Sequence, residues 1–142
     1  MINVQFTVRP GQGDPSGFDL GDMSVTGDLG TADSAGRTPD RGMMIHLSVV
    51  QLLDGLGTFL RGGDRVFTFT GVDTSFSLVV RRTKDGLSAA SGDGVIARTT
   101  PAELTSAVLR AAESLSRPLP SEDPVASDYE DSLAAFRPLV TG

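Results

Sequence analysis

The spacing of apolar residues changes from two to about 3.6 along this chain, and this change constrains the fold more than any other feature. Residues 2–9 alternate apolar and polar side chains, which is typical of a half-buried strand. Over residues 43–61 the apolar side chains instead fall on one face of a helical wheel. Gly62 and Gly63 are expected to end this helix. The chain therefore combines strands with amphipathic helices.

Further strands are predicted downstream. Leu20, Met23 and Val25 indicate a second strand, a hairpin partner of the first. Residues 65–98 alternate over several short runs that are separated by turn signals, the clearest of which is Lys84-Asp85-Gly86. This pattern predicts an antiparallel meander of three or four strands.

Two further helices follow the meander. Thr100 is placed to cap the second helix, with Pro101 at its first position and Glu103 three residues after the cap. A third and shorter helix is predicted from about 127 to 137, opening on a second capping box at Ser127.

This order of elements predicts an α+β fold in a single domain over residues 1–142. We expect one antiparallel twisted sheet of about five or six strands, with two main amphipathic helices and a short C-terminal helix packed on one face. Residues 27–42 are rich in Gly, Asp, Thr and Ser and are expected to form a mobile loop. Residues 118–126 are expected to be a linker to the C-terminal helix.

The net charge is −6, and the acidic residues are concentrated at the two ends of the sequence. Residues 1–36 and residues 118–142 each contain one arginine and five acids, a net charge of −4 in each. An acidic protein repels nucleic acid and anionic membranes, so we expect neither as a partner. The candidate basic patch, Arg81, Arg82 and Lys84, is too small to reverse that expectation.

Few side chains in this chain can carry covalent or metal chemistry. There is no cysteine, and the single histidine and tyrosine are His46 and Tyr129. One copy therefore cannot build a cysteine nucleophile, a Cys/His zinc site or a paired-histidine site. No recognised motif arranges the remaining hydroxyls and carboxylates, so we expect no enzyme and no cofactor. We interpret His46 as a partly buried helix residue, because no orienting carboxylate is placed beside it.

One acidic segment shares features with a calcium-binding loop. From Asp22 to Asp33, oxygen-bearing side chains occupy positions 1, 3, 5 and 12, and glycine occupies position 6. The last ligand position holds Asp instead of Glu, and the predicted flanks are a strand and a loop instead of helices. We expect a flexible acidic segment, and whether it binds a cation stays open.

Cellular location is predicted from absences and composition. The first residues contain no basic region followed by an apolar core, and no apolar run approaches the roughly 18 residues of a membrane span. The lack of cysteine fits the cytoplasm. Eleven of the twelve basic residues are arginine, and alanine and glycine are common, which is typical of a GC-rich bacterial genome.

The layout also resembles a known group of proteins. A helix, a meander with the segment 76–82 (FSLVVRR) and a helix beginning Pro101-Ala102-Glu103-Leu104 are similar to small acidic α+β proteins of GC-rich bacteria. Some of these resemble immunity proteins of polymorphic toxin systems. The resemblance covers about residues 43–117 and rests on the pattern of elements. It implies a protein that binds another protein, and it assigns no site residues.

We therefore predict a non-catalytic protein–protein interaction module, an inhibitor or immunity-type protein that binds a basic partner. The predicted contact residues are acidic and lie at the two ends of the chain: Asp22, Asp28, Asp33, Glu122, Asp123, Asp128, Glu130 and Asp131.

Two alternatives stay open at this stage. The chain could bind a small ligand in an apolar pocket between sheet and helices, or it could have no assignable activity. The residues expected around such a pocket are Leu53, Leu56, Phe67, Phe69 and Phe76. A homodimer through the first or last strand edge is compatible with every one of these functions.

Overall fold

The structure, a computed structural model, confirms the α+β class. It describes residues 2–14, 16–35, 42–72, 74, 76–92, 94–115, 119–120 and 122–141. The strands found there are β1 (Asn3–Val8), β2 (Leu20–Thr26), β3 (Thr31–Asp33), β4 (Met43–Met44), β5 (Val66–Thr70), β6 (Ser77–Thr83), β7 (Gly86–Ser91) and β8 (Gly94–Thr99). The helices are α1 (Ile45–Arg61), α2 (Pro101–Glu113) and α3 (Pro124–Thr141).

The strands form two antiparallel sheets of four strands each, where the sequence predicted one sheet of five or six. Sheet A contains the predicted β1–β2 hairpin, and both β3 and β4 pair with β2. Sheet B is the predicted meander, in the order β5-β6-β7-β8. The additional strands β3 and β4 have only three and two residues, too few to show alternation. Pairing with β2 makes them strands, so local sequence did not reveal them.

These short strands also correct two predicted boundaries. β3 lies inside residues 27–42, which were expected to form one mobile loop, and residues 36–41 of that loop lie outside the described residues. β4 occupies residues 43–44, so α1 begins at Ile45 and not at residue 43.

The turn between β2 and β3 connects the two sheets. The backbone N–H of Leu29 donates to the carbonyl of Ile96 in β8 at 2.9 Å. A Cβ on Gly27 would lie 2.2 Å from the Cβ of Ala97, so glycine permits this close approach. The contact covers part of the β8 edge, which is one way in which sheets avoid unwanted strand pairing.

Helix α1 places its apolar face in the core. Val49, Leu53 and Leu56 are at most 2% exposed, and the helix contacts β5, β1 and β2. Gly55 lies against Phe67 of β5, because a Cβ at that position would be 2.6 Å from the ring. The glycine therefore lets α1 approach sheet B, and this accounts for a residue that weakens the helix locally.

The capping signals of α2 are confirmed. Thr100 is extended, and its hydroxyl accepts a hydrogen bond from the N–H of Glu103 at 3.2 Å. None of the helices in the described ranges has the length and apolar character needed to cross a membrane.

Helix α3 has 18 residues, so the prediction of a short C-terminal helix was wrong. It begins at Pro124, because Asp123 accepts a hydrogen bond from the N–H of Val125 at 2.9 Å and so acts as the cap. The capping box predicted at Ser127 instead lies inside the helix. Residues 124–126 of the predicted linker belong to α3, and residues 116–118 and 121 lie outside the described residues.

Packing places α3 in a layer of its own. It contacts mainly α1 and α2, so the helices do not all lie directly on one sheet face. Phe136 is 1% exposed and anchors this contact. The phenol of Tyr129 donates to the carbonyl of Ala112 at 2.6 Å, which fastens α3 to the end of α2.

Candidate functional site

The acidic residues of the N-terminal part form bonds within the protein. Asp22 accepts two hydrogen bonds from the guanidinium of Arg9, at 2.9 and 3.0 Å, and a third from the hydroxyl of Ser34 at 2.8 Å. Asp33 accepts the N–H of Ala35 at 2.9 Å. These carboxylates stabilise sheet A and the turn after β3, which reduces what they can offer to a partner.

Asp28 has a similar structural role at the junction of the sheets. Its carboxylate accepts the N–H of Arg98 at 3.0 Å, and this hydrogen bond holds the pKa of Asp28 below its ordinary value. Because Asp22 is paired with arginine and Asp28 with backbone, the segment from 22 to 33 does not present a converging set of ligands. Within the described ranges, no group of three or more His, Asp or Glu side chains could hold a metal ion.

Asp123 also binds the protein's own backbone. One oxygen accepts the N–H of Gly17 and the other the N–H of Val125, each at 2.9 Å. The hydrogen bond from Gly17 lowers the pKa of Asp123 most, and the one from Val125 lowers it further. Asp123 thus fixes the loop before β2 to the start of α3. Its neighbour Glu122 is exposed.

Three carboxylates come together on the outer side of the helices. Asp128 and Asp131 of α3 and Asp54 of α1 line an open groove of about 320 Å³, together with Val50 and Ser132. We call this set the α1–α3 acidic groove. The hydroxyl of Ser132 donates to Asp54 at 2.7 Å, which orients one carboxylate. Two separate helices, 78 residues apart at this hydrogen bond, therefore build one negatively charged surface.

The two α3 acids of this groove are not explained by helix capping. Since α3 begins at Pro124, Asp128 and Asp131 lie in its second turn, beyond the first turn where the helix dipole favours negative charge. They are three residues apart, so like charges are neighbours on one face. Among the described residues, no Lys or Arg forms a salt bridge with either. Glu130 is exposed but does not line the groove.

The groove combines predicted and unpredicted residues. Asp128 and Asp131 belong to the predicted contact set, whereas Asp54 does not. On the sequence, Asp54 is an exposed position of an amphipathic helix, and no local signal connects it with α3. An exposed acid on α1 could have been noted as a candidate, but its partners depend on helix packing.

His46 lies deeper than expected. It is 2% exposed, and its ring meets the ring of Tyr129 edge-on at 5.9 Å between centroids. Burial raises the pKa of the Tyr129 phenol, with Glu130 adding to the effect. Both side chains are enclosed between α1 and α3, where a substrate would not reach them. They belong to the packing of the helices.

The apolar interior contains little free space. A cavity between the sheets, α1 and α2 measures about 20 Å³ and is lined by apolar side chains, among them Leu56, Phe67 and Phe69. Such a volume is near that of one water molecule, whereas ligand pockets measure roughly 300–1,000 Å³. Leu53 and Phe76 are each 2% exposed and are ordinary core residues. In the described part of the chain, this interior offers no preformed ligand pocket.

The three residues of the predicted basic patch do not share one environment. Arg82 turns inward: its guanidinium lies 4.7 Å from the centre of the Phe59 ring and donates to the carbonyls of Phe59, at 2.8 Å, and Gly62, at 3.3 Å. It thereby caps the end of α1. Arg81 and Lys84 are exposed.

Comparison with known proteins does not indicate a function for this chain. No protein-family model, no curated protein and no solved structure gives a significant match to this chain. The α1–α3 acidic groove, set in a protein with a net charge of −6, is therefore the feature on which a function can be argued.

Proposed function

We propose that this protein is a non-catalytic protein–protein interaction module, and that a basic segment of its partner docks in the α1–α3 acidic groove. The observation that carries the proposal is the meeting of Asp54, Asp128 and Asp131 from two helices around one groove. In this arrangement the acids repel one another, and binding of a cation relieves that repulsion.

The groove suits a lysine or arginine side chain. Its volume, about 320 Å³, accommodates a long side chain, and Val50 offers apolar surface for the methylene stem. The carboxylates are then in position to pair with the charged end, and arginine can bind a carboxylate through two hydrogen bonds. The net charge of −6 steers a basic partner toward the protein from a distance.

These properties fit an inhibitor or immunity-type protein. Such a protein covers a basic substrate-binding surface of an enzyme and so blocks it, without catalysis of its own. We place this activity in the bacterial cytoplasm, which the absence of cysteine fits. The alternative, a small-ligand carrier, would require the helices to separate from the sheets, since the interior cavity measures only about 20 Å³.

The test is a pull-down from lysate of the source organism with three baits. They are the wild type, the double variant Asp128→Asn/Asp131→Asn, and the control Asp64→Asn/Asp85→Asn, which removes the same charge from exposed loops. We expect a stoichiometric basic protein on the wild type and the control at low salt, identified by mass spectrometry. It should be absent from the groove variant and reduced at high salt.

Two outcomes would count against the proposal. A partner retained equally by all three baits binds elsewhere on the protein. A partner that is lost equally from the groove variant and the control responds to net charge alone and not to this groove.

A further inference from the structure

The outer face of sheet B has an unusual composition. Registers across the four strands place Thr68, Val79, Ala90 and Val95 side by side in one row. Val95 is 48% exposed, and Val79 and Ala90 are half-buried. Leu29, whose N–H donates to the carbonyl of Ile96 in β8, is 53% exposed. An uncovered antiparallel sheet normally presents polar side chains to water, so an apolar row here needs an explanation.

The next row on the same face contains Val66, which is 43% exposed, and two arginines. Arg81 of β6 and Arg98 of β8 both lie beside Ser88 of β7, and both are exposed. Two strand spacings separate them, roughly 10 Å. No Asp or Glu occurs within strands β5 to β8, although the chain as a whole carries −6. Asp28, which binds the Arg98 N–H, lies on the neighbouring turn.

We propose that this face of sheet B is a second docking surface, and that its occupant is an acidic segment of a partner protein. The apolar side chains of that segment cover the row of Val79, Ala90 and Val95. Its carboxylates pair with Arg81 and Arg98. This surface is opposite in charge to the α1–α3 acidic groove and shares none of its residues, so the inference does not depend on the proposed function.

Charge decides between this occupant and two others. A second copy packed face to face would present the same patch, whose strands contain no Asp or Glu, so no strand carboxylate would meet Arg81 or Arg98. Nucleic acid carries a continuous run of phosphates and no apolar side chains, so it would need many cations and would leave the row of Val79, Ala90 and Val95 uncovered, whereas a short acidic segment needs only two arginines. The row also contains no aromatic side chain on which a base could stack.

The experiment is a titration of the isotope-labelled protein, followed by amide NMR signals, with two designed peptides of equal length. One alternates Glu and Val, and the other alternates Lys and Val. We expect the acidic peptide to shift the signals of Val79, Ala90 and Val95. Arg81→Glu and Arg98→Glu should each weaken its binding about fivefold, as expected for one exposed ion pair. Arg110→Glu, the same charge change on an exposed position of α2, should leave binding unchanged.

Four results would overturn the inference. They are absence of shifts in β6 to β8 with the acidic peptide, shifts that survive both arginine reversals, tighter binding of a single-stranded oligonucleotide to the same face, and concentration-dependent shifts on this face without any peptide. The last result would assign the surface to a second copy of the chain. The Lys–Val peptide reports on the acidic groove separately, so failure at one surface is distinguishable from failure at the other.

Discussion

The two acidic ends of this chain look alike in sequence and have different roles in the structure. Residues 1–36 and 118–142 have the same net charge of −4. At the N-terminal end, Asp22 and Asp28 bind an arginine and a backbone N–H of the protein itself. At the C-terminal end, Asp128 and Asp131 face an open groove.

The difference follows from the local backbone. Turns and helix ends expose N–H groups without partners, and a nearby carboxylate accepts them. Asp28, Asp33 and Asp123 all lie in or beside such segments. Inside a helix every N–H already binds a carbonyl, so an exposed acid there has no backbone donor to bind. The position of an acid relative to helix ends therefore indicates its role better than the local net charge does.

The largest effect should come from removing the anchor of the C-terminal region. Phe136→Ala empties a site that is 1% exposed between α3 and its neighbours, and we expect a loss of about 3–5 kcal/mol in the free energy of unfolding. Urea denaturation measures it. If the loss is below about 1 kcal/mol, α3 is not held as described, and the acidic groove loses its structural basis.

A smaller loss is expected from the N-terminal region. Asp22→Ala leaves the Arg9 guanidinium and the Ser34 hydroxyl without this acceptor, and we expect about 2–3 kcal/mol of destabilisation in urea. Combining it with Arg9→Ala provides the control, because the double variant should lose less than the sum of the single losses. Additive losses would mean that the pair contributes little.

Tyr129→Phe tests the hydrogen bond that fastens α3 to α2. Removing the donor to the Ala112 carbonyl should cost about 1 kcal/mol at neutral pH. Because burial raises the pKa of this phenol above 10.0, the wild type should lose stability as pH rises beyond that value. The phenylalanine variant should lose less over the same range. Parallel pH profiles would contradict this role for the phenol.

Asp123→Ala should show the opposite pH dependence. The folded pKa of Asp123 lies below 3.8, so the ionised carboxylate stabilises the fold above that value, and the contribution is lost as pH falls through the lowered pKa. We expect the variant to be less stable than the wild type at neutral pH. The difference in stability between the two proteins should become smaller at the lowest pH at which both stay folded. A stability difference that does not change with pH would mean that hydrogen bonds to the ionised carboxylate do not stabilise the fold.

The smallest effect is expected in the acidic groove itself. Asp128→Asn/Asp131→Asn should leave stability unchanged or raise it by about 0.2–0.5 kcal/mol, because like charges are removed from one helix face. Thermal unfolding at low salt measures the change. A clear loss of stability would show that these acids stabilise the fold, as Asp22 does. It would contradict the difference in role between the two acidic ends.

Most secondary structure was predictable from the sequence. The period-2 runs predicted β1 and the meander of sheet B, and the apolar residues between 20 and 25 predicted β2. The Thr100 cap with Pro101 predicted the start of α2. The start of α3 was missed because the capping pattern at Ser127 resembles the true cap four residues earlier, where Asp123 precedes Pro124. Both patterns satisfy the same local rule, and the additional bond from Gly17 to Asp123 favours the earlier one.

The candidate site was predictable only in part. Asp128 and Asp131 were identified by charge, but their meeting with Asp54 depends on how α3 packs against α1. Arg98 was not identified from the sequence as part of a basic surface, for a similar reason. It joins Arg81 on one face only through the register of β6, β7 and β8, which includes an irregularity between Ala89 and Ala90.

The sequence by itself determined what depends on neighbours along the chain: the α+β class, the strand and helix periods, the α2 cap and the overall negative charge. Tertiary structure decided the division into two sheets, the strands β3 and β4, and the role of each acid. The physical reason is the distance along the chain over which each interaction acts. Periodicity and capping act within a few residues, whereas strand pairing and helix packing bring together groups as distant as Asp54 and Ser132.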